Sequence, residues 1–141
     1  MQDYLPPPTK RQLQELLARS LSAHYADFSG AAARAGLTAM QAKTLTVLRG
    51  APASMRSLAD ALTCDASNVT GIIDRLEKRG LVRREASSTD RRVKCLVLTE
   101  DGEQAIDAIR ERMEQVRTGL DGLSDRQRTE LYRLLTAVFP P

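Results

Sequence analysis

The side chains best suited to chemistry cluster between Ser54 and Thr99. Ser67, Asn68 and Thr70 are short hydrogen-bonding groups, spaced to lie away from a helical apolar face made by Val69, Ile72, Ile73 and Leu76. Small polar groups of this kind let a helix backbone approach the base edges of a DNA major groove. Lys43, Arg56, Arg75, Arg83 and Arg84 stand around them, and cations so placed are expected to meet phosphates, which set register without reading sequence. Asp90, Arg91 and Arg92 fall at the tip of a basic ribbon. Arg92 is placed there to enter a neighbouring minor groove, where narrow A·T tracts concentrate negative potential, with Asp90 holding its guanidinium. The partner this chemistry implies is double-stranded DNA.

Catalysis lacks the parts. The chain has one histidine, no paired carboxylates in a recognisable cleft, no Gly-rich phosphate loop and no metal-ligand spacing. No catalytic residue, metal or cofactor is therefore expected. Cys64 and Cys95 are far apart and form no CxxC or Cys/His pattern, so two free thiols are the default. Neither an apolar secretory segment nor a run of about 18 apolar residues occurs, which predicts a cytoplasmic protein without membrane contact. The net charge of +3 is unevenly spread. Residues 41 to 99 hold eleven cations against six anions, whereas residues 100 to 141 hold six against nine. A basic centre beside an acidic end separates a polyanion-binding face from surfaces with another purpose.

The elements that must position these residues follow in order. Three prolines at positions 6 to 8 keep the start extended up to Thr9, an N-cap. Leu13, Leu16, Leu17, Leu21, Tyr25, Phe28 and Ala32 recur at helical spacing from Lys10 to Ala35, and Gly36 stops the run. This helix is longer than one small core needs, so part of its stripe is expected to pack on another chain or a distant helix. Thr38 and Gln41 form a capping box for a helix burying Ala42, Leu45 and Leu48. Ser54 caps a short helix with Met55, Leu58, Ala59 and Leu62. Asp65 is expected to cap the helix that ends at Gly80. Residues 81 to 85 and 93 to 98 are rich in branched side chains and predict a hairpin. Thr99 caps a helix with the stripe Ile106, Ile109, Met113, Val116 and Leu120, interrupted at Gly122. Ser124 and Gln127 box the last helix, which carries Leu131, Leu134, Leu135, Val138 and Phe139.

A helix, turn and helix followed by a basic hairpin is a winged helix-turn-helix. The fold class expected is mainly α with a small β-wing, flanked by long terminal helices. Here the sequence resembles the MarR family of transcription regulators. Asp90, one residue, Arg92, five residues, then Leu98 and Thr99 reproduces that family's wing signature. The run from Asp74 to Val82, DRLEKRGLV, is similar to its usual end of the recognition helix, and Thr99-Glu100-Asp101-Gly102 is similar to its next helix start. The resemblance implies a homodimer, with residues 1–36 and 100–141 as dimerisation helices and residues 37–99 as the DNA-binding domain on a pseudopalindrome. Gly71 departs from the pattern, because many similar chains carry a larger side chain there, often Arg.

The resemblance also implies a small phenolic or aromatic-acid effector between the dimerisation helices and the winged domain. Arg19, His24 and Tyr25 are the candidates, a cation, an imidazole and a phenol within two turns. The alternatives are a thiol switch and a winged module that binds only protein. Peroxide-sensing relatives carry a reactive Cys near the start of the first helix, which this chain lacks, leaving Cys64 just before a helix N-terminus as the one thiol to test. A protein-only module has no need of the wing's cations.

Overall fold

Five helices start on the side chains the sequence marks as caps. In the computed structural model, which describes residues 6–63, 66–116 and 118–140 with the backbone alone for Ala66 and Ser67, each of these hydroxyls accepts a first-turn N–H. Thr9 accepts from Gln12 at 3.3 Å, Thr38 from Gln41 at 3.1 Å, Ser54 from Ser57 at 3.1 Å, Thr99 from Gly102 at 3.1 Å and Ser124 from Gln127 at 3.3 Å. Each such cap contributes about 1 kcal/mol by satisfying a donor the helix leaves open. Cys64 and Asp65, and with them the expected cap at Asp65, lie outside the described residues.

The elements run α1 (Lys10–Arg34), α2 (Ala39–Gly50), α3 (Met55–Leu62), α4 (Ala66–Lys78), β1 (Val82–Ala86), β2 (Lys94–Leu98), α5 (Glu100–Gln115), a 3-10 turn (Gly119–Gly122) and α6 (Asp125–Val138). The core is contiguous and sits under the centre of the chain. Leu45 of α2, Leu58 of α3, Val69, Ile73 and Leu76 of α4, Leu96 of β2, and Ile106 and Ile109 of α5 are all fully buried. Helix α2 is the hub, touching α1, α3, α4, α5 and β2.

The wing is an antiparallel pair running from Val82 opposite Leu98 to Ala86 opposite Lys94, so each strand starts one residue later than the branched runs suggest. Ala53 adds a third, one-residue rung: its N–H reaches the Leu96 carbonyl at 3.2 Å and its carbonyl accepts from Leu96 at 2.8 Å. At the wing's root the Thr99 hydroxyl donates to the Gly80 carbonyl at 2.6 Å, and the Thr99 N–H reaches the Leu81 carbonyl at 3.2 Å. Gly102 is required here, because a Cβ at that position would collide with the Leu81 carbonyl oxygen and the Leu98 side chain.

The C-terminal side differs from the expected single helix with an interruption at Gly122. Helix α5 ends at Gln115, Val116 turns extended, and Leu120 belongs to the 3-10 turn. The reason is local, since Thr118 and Asp121 form a capping box that starts a new element. The outer helices stand open. Leu13, Leu16, Leu17, Leu21 and Tyr25 of α1 are exposed, and α6 buries no residue, leaving Tyr132, Leu134, Leu135 and Val138 in contact with solvent together with Phe139 just beyond it.

Candidate nucleic-acid interface

Helices α3 and α4 pack against each other across a turn that Thr63 begins in the left-handed region, φ 54° and ψ 43°, its N–H directed at the carbonyls of Ala59 and Asp60. That reversal ends α3 and frees α4 to run in a new direction. Val69, Ile72, Ile73 and Leu76 are buried, as their spacing requires, which turns Asn68, Thr70, Asp74 and Arg75 outward. Asn68 and Thr70 are exposed where base-edge contacts are expected, whereas the side chain of Ser67 lies outside what is described. Gly71 sits on the same outer surface with open space where a side chain would be.

The cations divide into two groups. Among the described residues, Lys43, Arg56, Arg75, Arg91 and Arg92 are exposed and form no ion pair, so their charge is available to a phosphate. Arg83 and Arg84, expected as phosphate ligands too, pair with carboxylates. Arg83 pairs with Glu85 on its own strand. Arg84 reaches from β1 to α4, where Nη2 lies 2.7 Å from Asp74 and Nη1 pairs with Glu77. The hydrogen bond to Asp74 raises the Arg84 pKa above its ordinary value against the opposing effect of desolvation, and the fields of Glu77 and Asp74 add to it.

Asp90 is also placed differently from expectation. Its carboxylate accepts the backbone N–H of Arg92 at 2.9 Å and does not hold the guanidinium. The Asp90 carbonyl accepts from Val93 at 3.0 Å, and the Val93 carbonyl accepts from Ser87 at 2.8 Å. The short Asp side chain therefore closes the turn in the manner typical of Asp and Asn, and leaves Arg91 and Arg92 pointing out from a tied loop.

Arg79 carries a role that sequence reasoning missed. From the end of α4 its guanidinium donates to the carbonyls of Gly36 and Ala35, the open C-terminus of α1. No local pattern predicts a pairing between residues 43 positions apart. Arg49 is a second such tie, standing 3.3 Å from Glu103 and 2.7 Å from Asp107 and joining α2 to α5.

The effector candidates Arg19, His24 and Tyr25 do not converge. Arg19 and Tyr25 are exposed and line no described cavity. His24 lines an open cavity of about 340 Å³ with Asp27, Met113, Glu114 and Thr118. A neighbouring cavity of about 350 Å³ between α1 and α5 is lined by Asp27, Arg34, Arg112 and Gln115, none of which the sequence singled out. Cys95 is a free, half-buried thiol in β2. Among the described residues no group of His, Cys, Asp and Glu side chains converges as a metal ion would require.

Comparison with known proteins agrees with this architecture. Residues 37–94 match the model of the MarR family. Over 108 residues the chain is 34% identical to the HTH-type transcriptional repressor NicR of Pseudomonas putida, covering 76% of this chain and 68% of that protein. It spans about half the length of three other curated relatives it matches. Among solved structures it is similar to CouR of Rhodococcus jostii RHA1 bound to p-coumaroyl-CoA, with TM-score 0.72, 26% identity and coverage of 92% of this chain and 93% of that one. It is also similar to BpsR of Bordetella bronchiseptica, whose DNA binding is regulated by 6-hydroxynicotinic acid, with TM-score 0.67, 28% identity and coverage of 97% and 99%. With the helix order, the wing and the repressor NicR in agreement, the chain belongs to the MarR family of transcription regulators, which are not enzymes.

Proposed function

We propose that this regulator is a sequence-specific DNA-binding repressor that works as a homodimer on a pseudopalindromic operator and is released by a small aromatic acid. Residues 37–99 form the DNA-binding part, and residues 1–36 and 100–141 the dimerisation part. The observation that supports the reading is the set of cations on α2, α3, α4 and the wing tip that are exposed and form no ion pair among the described residues, in the same winged domain as the exposed Asn68 and Thr70. Two-fold pairing would set the two copies of α4 in successive major grooves, roughly 34 Å apart. The test is fluorescence anisotropy on a fragment selected from genomic DNA. The logarithm of the binding constant should fall with the logarithm of salt by about 0.9 for each phosphate contacted, and Arg92→Ala should weaken binding most at A·T-rich flanks. A flat salt response would favour a winged module that binds protein instead.

The cavity lined by Arg34 and Arg112 supports the effector reading better than Arg19, His24 and Tyr25 do. Two cations against the one anion Asp27, with Gln115 beside them, suit a carboxylate and its ring substituent, and a volume of about 350 Å³ admits one aromatic ring. Regulation of BpsR by 6-hydroxynicotinic acid points to the same ligand chemistry. Titrating 6-hydroxynicotinic acid into the operator complex should release it, and Arg34→Ala should abolish that release while sparing operator affinity. Release by peroxide rather than by the acid would favour the thiol switch.

A further inference from the structure

Helix α4 carries two acids where a DNA-binding helix needs none. At 100° per residue, Lys78 falls opposite the midpoint of the buried set Val69, Ile72, Ile73 and Leu76, and Asp74 and Gly71 lie about 30° to either side of that outermost line. Glu77 lies one step round. Their side chains are 59% and 37% exposed. Gly71 adds no side chain to that face, so the backbone can come close to DNA, which brings Asp74 closer still. A bare carboxylate meeting phosphate is a like-charge contact of the kind that costs several kcal/mol in an interface. Arg84 answers both acids at once. It comes from β1 and bonds Asp74 through Nη2 at 2.7 Å and Glu77 through Nη1, so its one positive charge is set against two carboxylates of α4.

We propose that Arg84 is a positioning residue that masks the charge of Asp74 and Glu77, making α4 admissible to DNA and fixing the wing against it, without itself binding phosphate. The proposal rests on the DNA-binding reading above. It assigns the wing's cations separate duties: Arg91 and Arg92 face the duplex, whereas Arg84 faces the protein's own recognition helix.

The test measures operator affinity by anisotropy for wild type, Arg84→Ala, Asp74→Asn with Arg84→Ala, and Glu111→Gln with Arg84→Ala. The two double variants have the same net charge, and Glu111 is an exposed residue of α5 remote from the wing in sequence. Arg84→Ala should lower affinity about tenfold with an unchanged circular dichroism spectrum. Asp74→Asn should restore most of that loss, and Glu111→Gln should not. If the Asp74→Asn double variant stays as weak as Arg84→Ala, or if Arg84→Ala binds like wild type, the mask is overturned. Should wild type itself select no DNA fragment, the failure belongs to the DNA-binding reading and is told apart at once.

Discussion

The same residue type meets opposite fates in two regions of this chain. Leu45 at the centre of α2 is 0% exposed, whereas Leu21 on α1 is 69% exposed, although both sit in apolar stripes of helical period. The winged centre closes on itself: α2, α3, α4, β1, β2 and α5 share one core, which the end of α1 helps to cover. The outer helices do not. The stripe of α1 from Leu13 to Tyr25 and the large apolar side chains of α6 from Tyr132 onward stay exposed among the described residues. Burying one Leu contributes roughly 1.5–3 kcal/mol, so an open row of them is a surface that association would complete. Periodicity thus marks which face is apolar; whether the cover comes from the same chain or a second copy depends on where the helix projects. Helix α1 shows both outcomes in one element, since Ala31 and Ala32 near its end are buried in the central core.

The sharpest way to break the central region is at Gly102. A methyl there runs into a backbone oxygen, which has no rotamer to escape by, so Gly102→Ala should destabilise the fold by about 3 kcal/mol, at the upper end of overpacking effects. The measurement is the urea midpoint, and a wild-type midpoint would mean that the wing root and α5 separate easily. On the outer region the corresponding change is Leu21→Glu with Val138→Glu. Both positions are exposed, so the far-ultraviolet circular dichroism should survive. The sedimentation coefficient should fall to that of a monomer, and operator affinity should drop by about 100-fold, worth about 2.7 kcal/mol. A variant pair that sediments like a dimeric wild type would place the contact of the proposed dimer elsewhere, and a wild type that is itself a monomer would overturn that proposal.

What could be foreseen from the sequence follows the same division between local and distant causes. Caps, glycine stops and apolar stripes act within four residues, and Thr38 with Gln41, Ser54, Thr99, and Ser124 with Gln127 all hold helix starts. Gly36 and Gly80 take the left-handed backbone that their places after α1 and α4 demand. The contacts that join elements were invisible because they leave no period behind. Arg84 reads as one more cation of a basic wing until the fold brings Asp74 and Glu77 to it, and the rung from Ala53 to Leu96 has no strand pattern of its own. The cavity at Arg34 and Arg112 was missed for a similar reason: its walls come from helices some 80 residues apart in sequence. Asp90 was read with the right residue and the wrong bond, since a carboxylate two residues before an Arg can serve either its backbone or its guanidinium.

Arg79 ties the two regions together, and a smaller effect is expected there. Its guanidinium caps the carbonyls of Gly36 and Ala35 from the end of α4, so Arg79→Ala leaves the α1 C-terminus open to water while every core side chain stays in place. Because the contact is exposed, the loss should be about 1 kcal/mol by urea unfolding, below the roughly 1.5–3 kcal/mol of a hydrogen bond to a charged group. Arg79→Lys should recover only part of it, since an ammonium offers no planar fork to two carbonyls. Full recovery by Lys would show that charge near the helix end matters more than the paired geometry.

Gly71 gives the smallest expected change and separates the needs of the fold from those of the interface. It lies inside α4, where Gly is less favourable than Ala by about 0.5–1 kcal/mol, and a Cβ there meets nothing within 4 Å. Its φ is not in the left-handed region, so the backbone does not call for Gly. Gly71→Ala should therefore raise stability by about 0.5 kcal/mol, visible as a later urea midpoint. If the bare position serves close approach to a duplex, the same variant should bind operator more weakly although it is the more stable protein. The two responses then move in opposite directions, which no loss of folding can imitate. A gain in both would mean that α4 stands far enough from DNA to accept a methyl, and the outer face of the helix would be open to a larger contact residue such as Arg.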